Sequence, residues 1–187
     1  YVFQRTPNYA VPAHNRPLDP EYCRRIKADY PALRARQKKS FASFAFELNQ
    51  QSALAVTQED RQREYDARWA EGGLAFMGAF NDLLFSKEAN ETAAEFARAK
   101  IRELVRDAAI AEKLAPRNVF GCKRLCVDTG YYATFNRPNV SLIDVSQAPI
   151  ETITPTGLRT NAVDYTFDAL ILATGFDAMT GAILRVD

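Results

Sequence analysis

In the stretch VFGCKRLCVDTGYY, residues 119–132, two cations, Lys123 and Arg124, stand side by side between Cys122 and Cys126. Apolar residues Val119, Phe120, Leu125 and Val127 surround them. An ionised side chain in such a setting is costly unless an anion accompanies it. One cation can neutralise a phosphate and the other a developing oxyanion, the charge that preorganised donors stabilise best. An ion pair with Asp128 or another carboxylate would satisfy the same residues without any ligand.

A second pair, Arg5-Thr6, follows the apolar run Tyr1–Gln4 in VFQRTPNY. A strand ending there puts a guanidinium and a hydroxyl at its carboxyl end, where open α/β sheets bind ligands. The planar Arg fork donates two hydrogen bonds at once and suits a phosphate. In nicotinamide-binding folds a basic residue at such a position accommodates the 2′-phosphate of NADP, whereas an acid selects NAD. The same Arg can instead cap carbonyls or stay solvated. A third feature is LILATGFD, in which an apolar run enters Thr174-Gly175. Gly175 has no Cβ to obstruct a close approach, although a strand followed by Gly is common at α/β turns. Phe176 reads as core in preference to a cofactor-stacking ring, and Asp177 can equally be a helix cap.

Other reactive side chains carry less. Cys23, Cys122 and Cys126 are odd in number and, with a single His14, make neither a disulfide framework nor a zinc set. They read as reduced thiols in a cytoplasmic setting. His14 sits in a Pro-rich loop with no second ligand near it and is not assigned a catalytic role. Trp69 and its neighbouring Phe residues read as helix packing.

The elements that position these residues follow from pattern. After the first strand, Pro7 pushes Thr6 out of the helical region, and a loop runs through Pro12 and Pro17. A charged helix is expected from about Pro20 to Lys39, and Phe41, Phe44 and Phe46 fit either a helix extension or a loop. Thr57 with Asp60 resembles a capping box. The following helix aligns Tyr65, Trp69, Phe76, Phe80 and Leu84 on one stripe, interrupted at Gly72-Gly73. Asn90 is expected to cap the next helix, with Phe96, Ala97, Ile101, Leu104 and Val105 on one face. Asp107 is expected to cap a short one ending near Pro116. Short β segments follow at 140–145, 150–154 and 165–167, with a turn at 154–157. The run Ala169–Ala173 reads as a strand buried on both faces of a parallel sheet. The fold class is therefore α/β with helices inserted between strands.

The chain has 187 residues, is 47% hydrophobic and carries a net charge of +1, which fits one ordinary domain with a real core. That balance gives no reason to expect nucleic acid as a partner. No apolar run approaches the ~18–20 residues of a membrane-spanning helix. The first residue is Tyr1, in a strand already under way, and AILRVD stops in mid-pattern, so the sequence reads as a piece of a longer chain.

Four segments, VFQRTPNYAVPAHNRPLDPEY, CKRLCVDTGYYATFNRPNV, APIETITPTG and LILATGFDAMTGA, together resemble the Baeyer–Villiger monooxygenases of the phenylacetone and cyclohexanone type, in the same order. The resemblance implies a Rossmann-like NADP-binding domain with a helical insertion and β segments leading back into an FAD domain. On that reading residues 1–19 end a strand of the NADP domain and 20–116 are its insertion. Residues 117–172 are its return strands, and 173–187 link to the FAD domain. The implied cofactors are FAD and NADPH, and the implied partners are a small-molecule ketone, O₂ and the remainder of the same chain. The implied reaction inserts one oxygen atom beside the carbonyl, through a C4a-peroxyflavin, to give an ester or lactone. By position, Arg5, Thr6 and Lys123 match residues that recognise the 2′-phosphate of NADPH, and Arg124 matches the active-site arginine. Thr174 and Gly175 match a cofactor-adjacent linker. The family's FAD-binding G-x-G-x-x-G and its F-x-G-x-x-x-H-x-x-x-W fingerprint do not occur in these residues. The readings that compete are a flavin monooxygenase acting on N or S atoms, an NADP-dependent reductase without oxygen chemistry, and a non-catalytic nucleotide-binding remnant.

Overall fold

The computed structural model describes residues 1–40, 43, 46–175 and 181. They divide into two compact units, Tyr1–Ile143 and Asp144–Asp187.

The first unit opens with β1 (Val2–Gln4) and β2 (Ala10–Pro12). Two exposed helices follow, α1 (Pro20–Ala28) and α2 (Tyr30–Lys39), where the charge pattern predicted a single one. Pro31 explains the break. It lacks the N–H that would continue the ladder, and it fits only the first turn of a new helix. Of the three phenylalanines beyond α2, Phe41 and Phe44 lie outside the described residues. The ring of Phe46 lies close to Gly78, within 3.0 Å of where a Cβ there would sit.

Helix α3 (Gln58–Glu71) starts on the expected cap, with the Thr57 hydroxyl accepting from Asp60 N–H at 3.1 Å. The Asp60 carboxylate returns to the Thr57 hydroxyl, at 2.8 Å. Gly72, at φ +80°, ends the helix where a Cβ would fall 2.6 Å from the Pro12 carbonyl. A 3₁₀ turn, Gly73–Gly78, then carries Phe76 into the core. Leu83 is buried there and Leu84 is about half exposed, so the predicted stripe shifts by one residue after the turn.

Helix α4 (Lys87–Leu104) is capped by Ser86, which accepts from Ala89 N–H. Asn90 is therefore not the cap; it lies inside the first turns, buried. The inner face of α4 pairs alanines 89, 93, 94 and 97 with Phe96 and Ile101. The small side chains let the neighbouring segments come close, and Phe96 fills the space left. Its ring meets Phe76 at 5.5 Å, Trp69 at 5.7 Å and Tyr65 at 5.2 Å between centroids. Phe76 reaches on to Phe120 at 5.4 Å, and Phe120 to Tyr9 at 5.0 Å. Each such ring contributes about 1.5–3 kcal/mol of burial, so this aromatic chain ties α3 and α4 to β2. Leu104 is partly exposed while Val105 is buried.

Helix α5 (Ala108–Leu114) is capped by Asp107 as expected. Strand β3 (Cys126–Asp128) pairs with β2 in parallel, in the register Ala10↔Cys126 and Pro12↔Asp128. The short helix α6 (Tyr131–Thr134) follows. Strand β4 (Leu142–Asp144) pairs with β1.

The second unit contains an antiparallel sheet of β5 (Ile150–Thr154), β6 (Gly157–Thr160) and β7 (Asp164–Thr166). A Cβ at Gly157 would fall 1.8 Å from the Tyr165 carbonyl oxygen, so only glycine fits this crossing. The α/β class holds. Among the described residues, the expected buried strand at 169–173 does not form: Ile171 is 87% and Leu172 69% exposed. A strand buried on both faces needs neighbours to pair with it and layers to cover it, and no described residue pairs with this run.

Candidate functional site

The turn carrying Lys123 and Arg124 is held through its backbone. At its base, Phe120 N–H donates to Asn90 Oδ1 at 2.9 Å, and Asn90 Nδ2 donates back to the Phe120 carbonyl at 2.8 Å. Cys122 N–H donates to the Val119 carbonyl at 3.2 Å, closing the turn. Gly121 supplies the φ of +80° that the reversal requires. At the far end, Asn8 Nδ2 donates to the Arg124 carbonyl at 3.0 Å. Cys126 N–H donates to the Tyr9 carbonyl at 3.2 Å, which starts the β2–β3 pairing.

This framework resolves the puzzle of two cations in an apolar run. Phe120 and Leu125 turn inward, 1% and 6% exposed, while Lys123 and Arg124 point into solvent. The expected alternative, an ion pair with Asp128, is not formed; the Asp128 carboxylate instead accepts from Tyr131 N–H. Among the described residues neither cation has a carboxylate within salt-bridge distance. Some arginines elsewhere in the unit are paired: Arg102 contacts Glu112 at 2.6 Å and Glu95 at 2.8 Å, and Arg98 contacts Glu95 and Glu91.

Arg5 and Thr6 emerge, exposed, immediately after β1, as the sequence predicted. Asn8 lies three residues further on, at most about 11 Å along an extended chain. Its bond to the Arg124 carbonyl therefore brings the two cationic motifs into one neighbourhood. Tyr132 secures this junction: its hydroxyl donates to the Asn8 carbonyl at 3.4 Å and accepts from Ala10 N–H at 3.2 Å. Burial pushes the Tyr132 hydroxyl well above the usual phenol range, so it stays protonated and able to donate. On the other side of β2, Arg98 donates to the Tyr9 hydroxyl at 3.2 Å. Tyr9 titrates above its ordinary value because burial outweighs that nearby positive charge.

Asn8, Asn90 and Tyr132 are the residues that sequence reasoning missed. Asn90 has the composition signal of a helix cap, and nothing in spacing distinguishes a capping amide from one that reaches 30 residues along the chain. Tyr132 stood within the quoted motif without a role.

Thr174 and Gly175 lie in the second unit, both exposed, with Gly175 at φ +84°. Phe176 and Asp177 lie outside the described residues. His14 spends its Nε2 on the Trp69 carbonyl, 3.2 Å away, near the end of α3. A depression of about 1570 Å³ opens beside α1 instead of at the cationic turn. Its rim mixes Arg16, Arg24 and Arg25 with Asp19 and Glu21, so no single charge converges there. Among the described residues no cluster of acids, cysteines and histidine is placed to hold a metal ion, and no helix is long and apolar enough to cross a membrane.

No family model matches the chain. Individual proteins do. The chain is 41% identical over its full length to a cyclohexanone 1,2-monooxygenase of Acinetobacter sp., of which it spans 35%. It is 39% identical, again over its full length, to a Baeyer–Villiger monooxygenase of Pseudooceanicola batsensis, spanning 34%. A phenazine N-monooxygenase of Lysobacter antibioticus is 35% identical over the whole chain, which spans 35% of it. Among solved structures, a crystal structure of OTEMO in complex with FAD and NADP superposes with a TM-score of 0.96 at 38% identity. It covers all of this chain with 35% of its own length. The chain thus spans about a third of the length of the curated relatives it matches. The proteins it is similar to are flavoprotein monooxygenases. Within that class, its sequence and fold resemble Baeyer–Villiger monooxygenases from end to end.

Proposed function

We propose that this chain supplies the cofactor-phosphate contacts and the active-site arginine of an FAD- and NADPH-dependent Baeyer–Villiger monooxygenase. The reaction is ketone + O₂ + NADPH + H⁺ → ester or lactone + NADP⁺ + H₂O. The observation that carries this reading is the turn itself: two exposed cations with no carboxylate partner among the described residues, on a backbone fixed at both ends and tied by Asn8 to the segment that follows Arg5-Thr6. A solvated loop needs no such anchoring at both ends.

Arg5, Thr6 and Lys123 are the residues that would hold the 2′-phosphate of NADPH; a guanidinium and an ammonium answer its charge, and the hydroxyl adds a neutral donor. Arg124, always charged, would stabilise negative charge on oxygen as it develops during attack on the carbonyl. Thr174 and Gly175 would pass close to the cofactors. Bound FAD, reduced by NADPH, supplies the activation of O₂. The three free thiols suit a reducing, cytoplasmic setting.

The test is Arg124→Ala in the complete enzyme. Ester formation is expected to vanish from a folded protein that still carries FAD; oxygenation at the unaltered rate removes Arg124 from the chemistry. A second reading, oxygen transfer to nitrogen, is favoured by the phenazine N-monooxygenase among the relatives. A parallel screen of cyclic ketones and aromatic N-heterocycles separates the two by product.

A further inference from the structure

We infer that Asn90 is a positioning residue for the Lys123–Arg124 turn, so that cofactor discrimination depends on a side chain that touches no cofactor. This rests on the reading of Lys123 as a phosphate contact.

Phe120 belongs to no strand or helix, yet it is 1% exposed. Its buried N–H and C=O would be costly without partners. Asn90 satisfies both, at 2.9 and 2.8 Å, from within α4. Its second amide hydrogen donates to the Leu83 carbonyl at 2.8 Å. At 4% exposure, Asn90 thus makes three hydrogen bonds from one buried amide, joining α4, the segment before it and the turn. An apolar residue would pack as well among the alanines of α4. What only an amide does is fix the height and direction of the Phe120 peptide, the kind of specification that a fully satisfied buried polar group provides. Lys123 follows three residues later. The turn between them is closed by the backbone bond from Cys122 to Val119, so Phe120 sets the near side of the turn as Asn8 sets the far side at Arg124, and Lys123 depends on both.

The test uses the complete enzyme and the ratio of kcat/KM for NADPH to that for NADH. Asn90→Ala is expected to lower this ratio about tenfold, the loss of roughly one charge-assisted contact. In a Lys123→Ala background the same substitution should leave the ratio unchanged within about twofold, because both changes remove the same contact. Tyr65→Phe, which deletes a hydrogen bond to Thr92 on the same helix, should leave the ratio unmoved. The inference is overturned if Asn90→Ala spares the ratio while Lys123→Ala lowers it, if the two effects multiply, or if Tyr65→Phe lowers the ratio equally. A ratio unchanged by Lys123→Ala itself overturns the phosphate assignment instead, and the inference with it. Where Asn90→Ala does not fold, Asn90→Ser replaces it. Should that fail too, hydrogen exchange in the unaltered enzyme decides: a Phe120 amide protected far beyond that of Lys123 supports the clamp, and equal exchange overturns it.

Discussion

Residues 119–126 and residues 169–175 both leave conspicuous side chains in solvent, yet they are built in opposite ways. In the first, charged side chains stand bare while the backbone beneath is bound at Phe120, Cys122, Arg124 and Cys126. In the second, apolar side chains stand bare, with Ile171 the most exposed of them, and no regular structure supports them. Bare cations on a fixed backbone are held in place independently of their own side-chain contacts, which is what the proposed phosphate and oxyanion contacts require. Bare apolar side chains on an irregular backbone have no such framework among the described residues. Exposure alone does not mark function; the backbone beneath it separates the two cases.

The comparison breaks first at Arg124. If the turn is a site, Arg124→Ala should cost about 10²–10³-fold or more in ester formation, the usual effect of removing an oxyanion-stabilising group, with FAD content unchanged. A rate within a few-fold of the parent would reduce the turn to well-anchored surface. The next effect is structural and falls in the second unit. Gly157→Ala places a Cβ 1.8 Å from the Tyr165 carbonyl, and should destabilise the β5–β6–β7 sheet by about 2–4 kcal/mol. Thermal unfolding together with hydrogen exchange in 150–166 reads this, and an unchanged exchange pattern would contradict the packing described.

Smaller, and sharper, is cofactor choice. Arg5→Ala or Lys123→Ala should each remove a charge-assisted contact of about 1.5–3 kcal/mol and weaken NADPH relative to NADH. Equal losses for both nucleotides would show that the cations serve something other than the 2′-phosphate.

The smallest effect concerns the paired charges that contrast with the turn. The Arg102 hydrogen bond holds the Glu112 carboxyl below its ordinary range. Glu95 is partly buried, which works the other way, yet hydrogen bonds from Arg102 and Arg98 leave it lowered as well. A carboxylate with a depressed folded-state pKa stabilises above its unfolded value, near ~4.3, and loses that contribution as pH falls through the folded value. Glu112→Gln should therefore flatten the acid limb of stability by no more than about 0.5 kcal/mol at this exposed site. Urea midpoints measure it: the variant should fall slightly below the parent at pH 7 and match it at pH 3, and a loss confined to pH 3 would contradict the sign.

Much of the scaffold was legible because its signals are local. The Thr57–Asp60 cap, the Asp107 cap, the stop at Gly72 and the strand before Arg5 each depend on residues within one turn of the chain. The misses are failures of range. Pro31 split the predicted helix, a local rule overlooked within a charged pattern. Leu83 replaced Leu84 because a 3₁₀ turn reset the helical phase. Asn90 looked like a cap since its partners, Leu83 and Phe120, are made visible only by folding. The apolar run at 169–173 carries the composition of a buried strand, and composition says nothing of whether neighbours are present to bury it. For the site, residue types and spacing located the cations; what they could not show is that Asn8 joins the two motifs or that Asp128 declines the ion pair.

The hydrogen bonds at Asn90 and Asn8 end on main-chain atoms of Phe120 and Arg124, which every amino acid except proline possesses in full. Location and chemical identity are therefore inherited separately here. Drift or design can rewrite residues 122–124 while the address they occupy stays put, so the side chains presented there can change without rebuilding the scaffold that presents them.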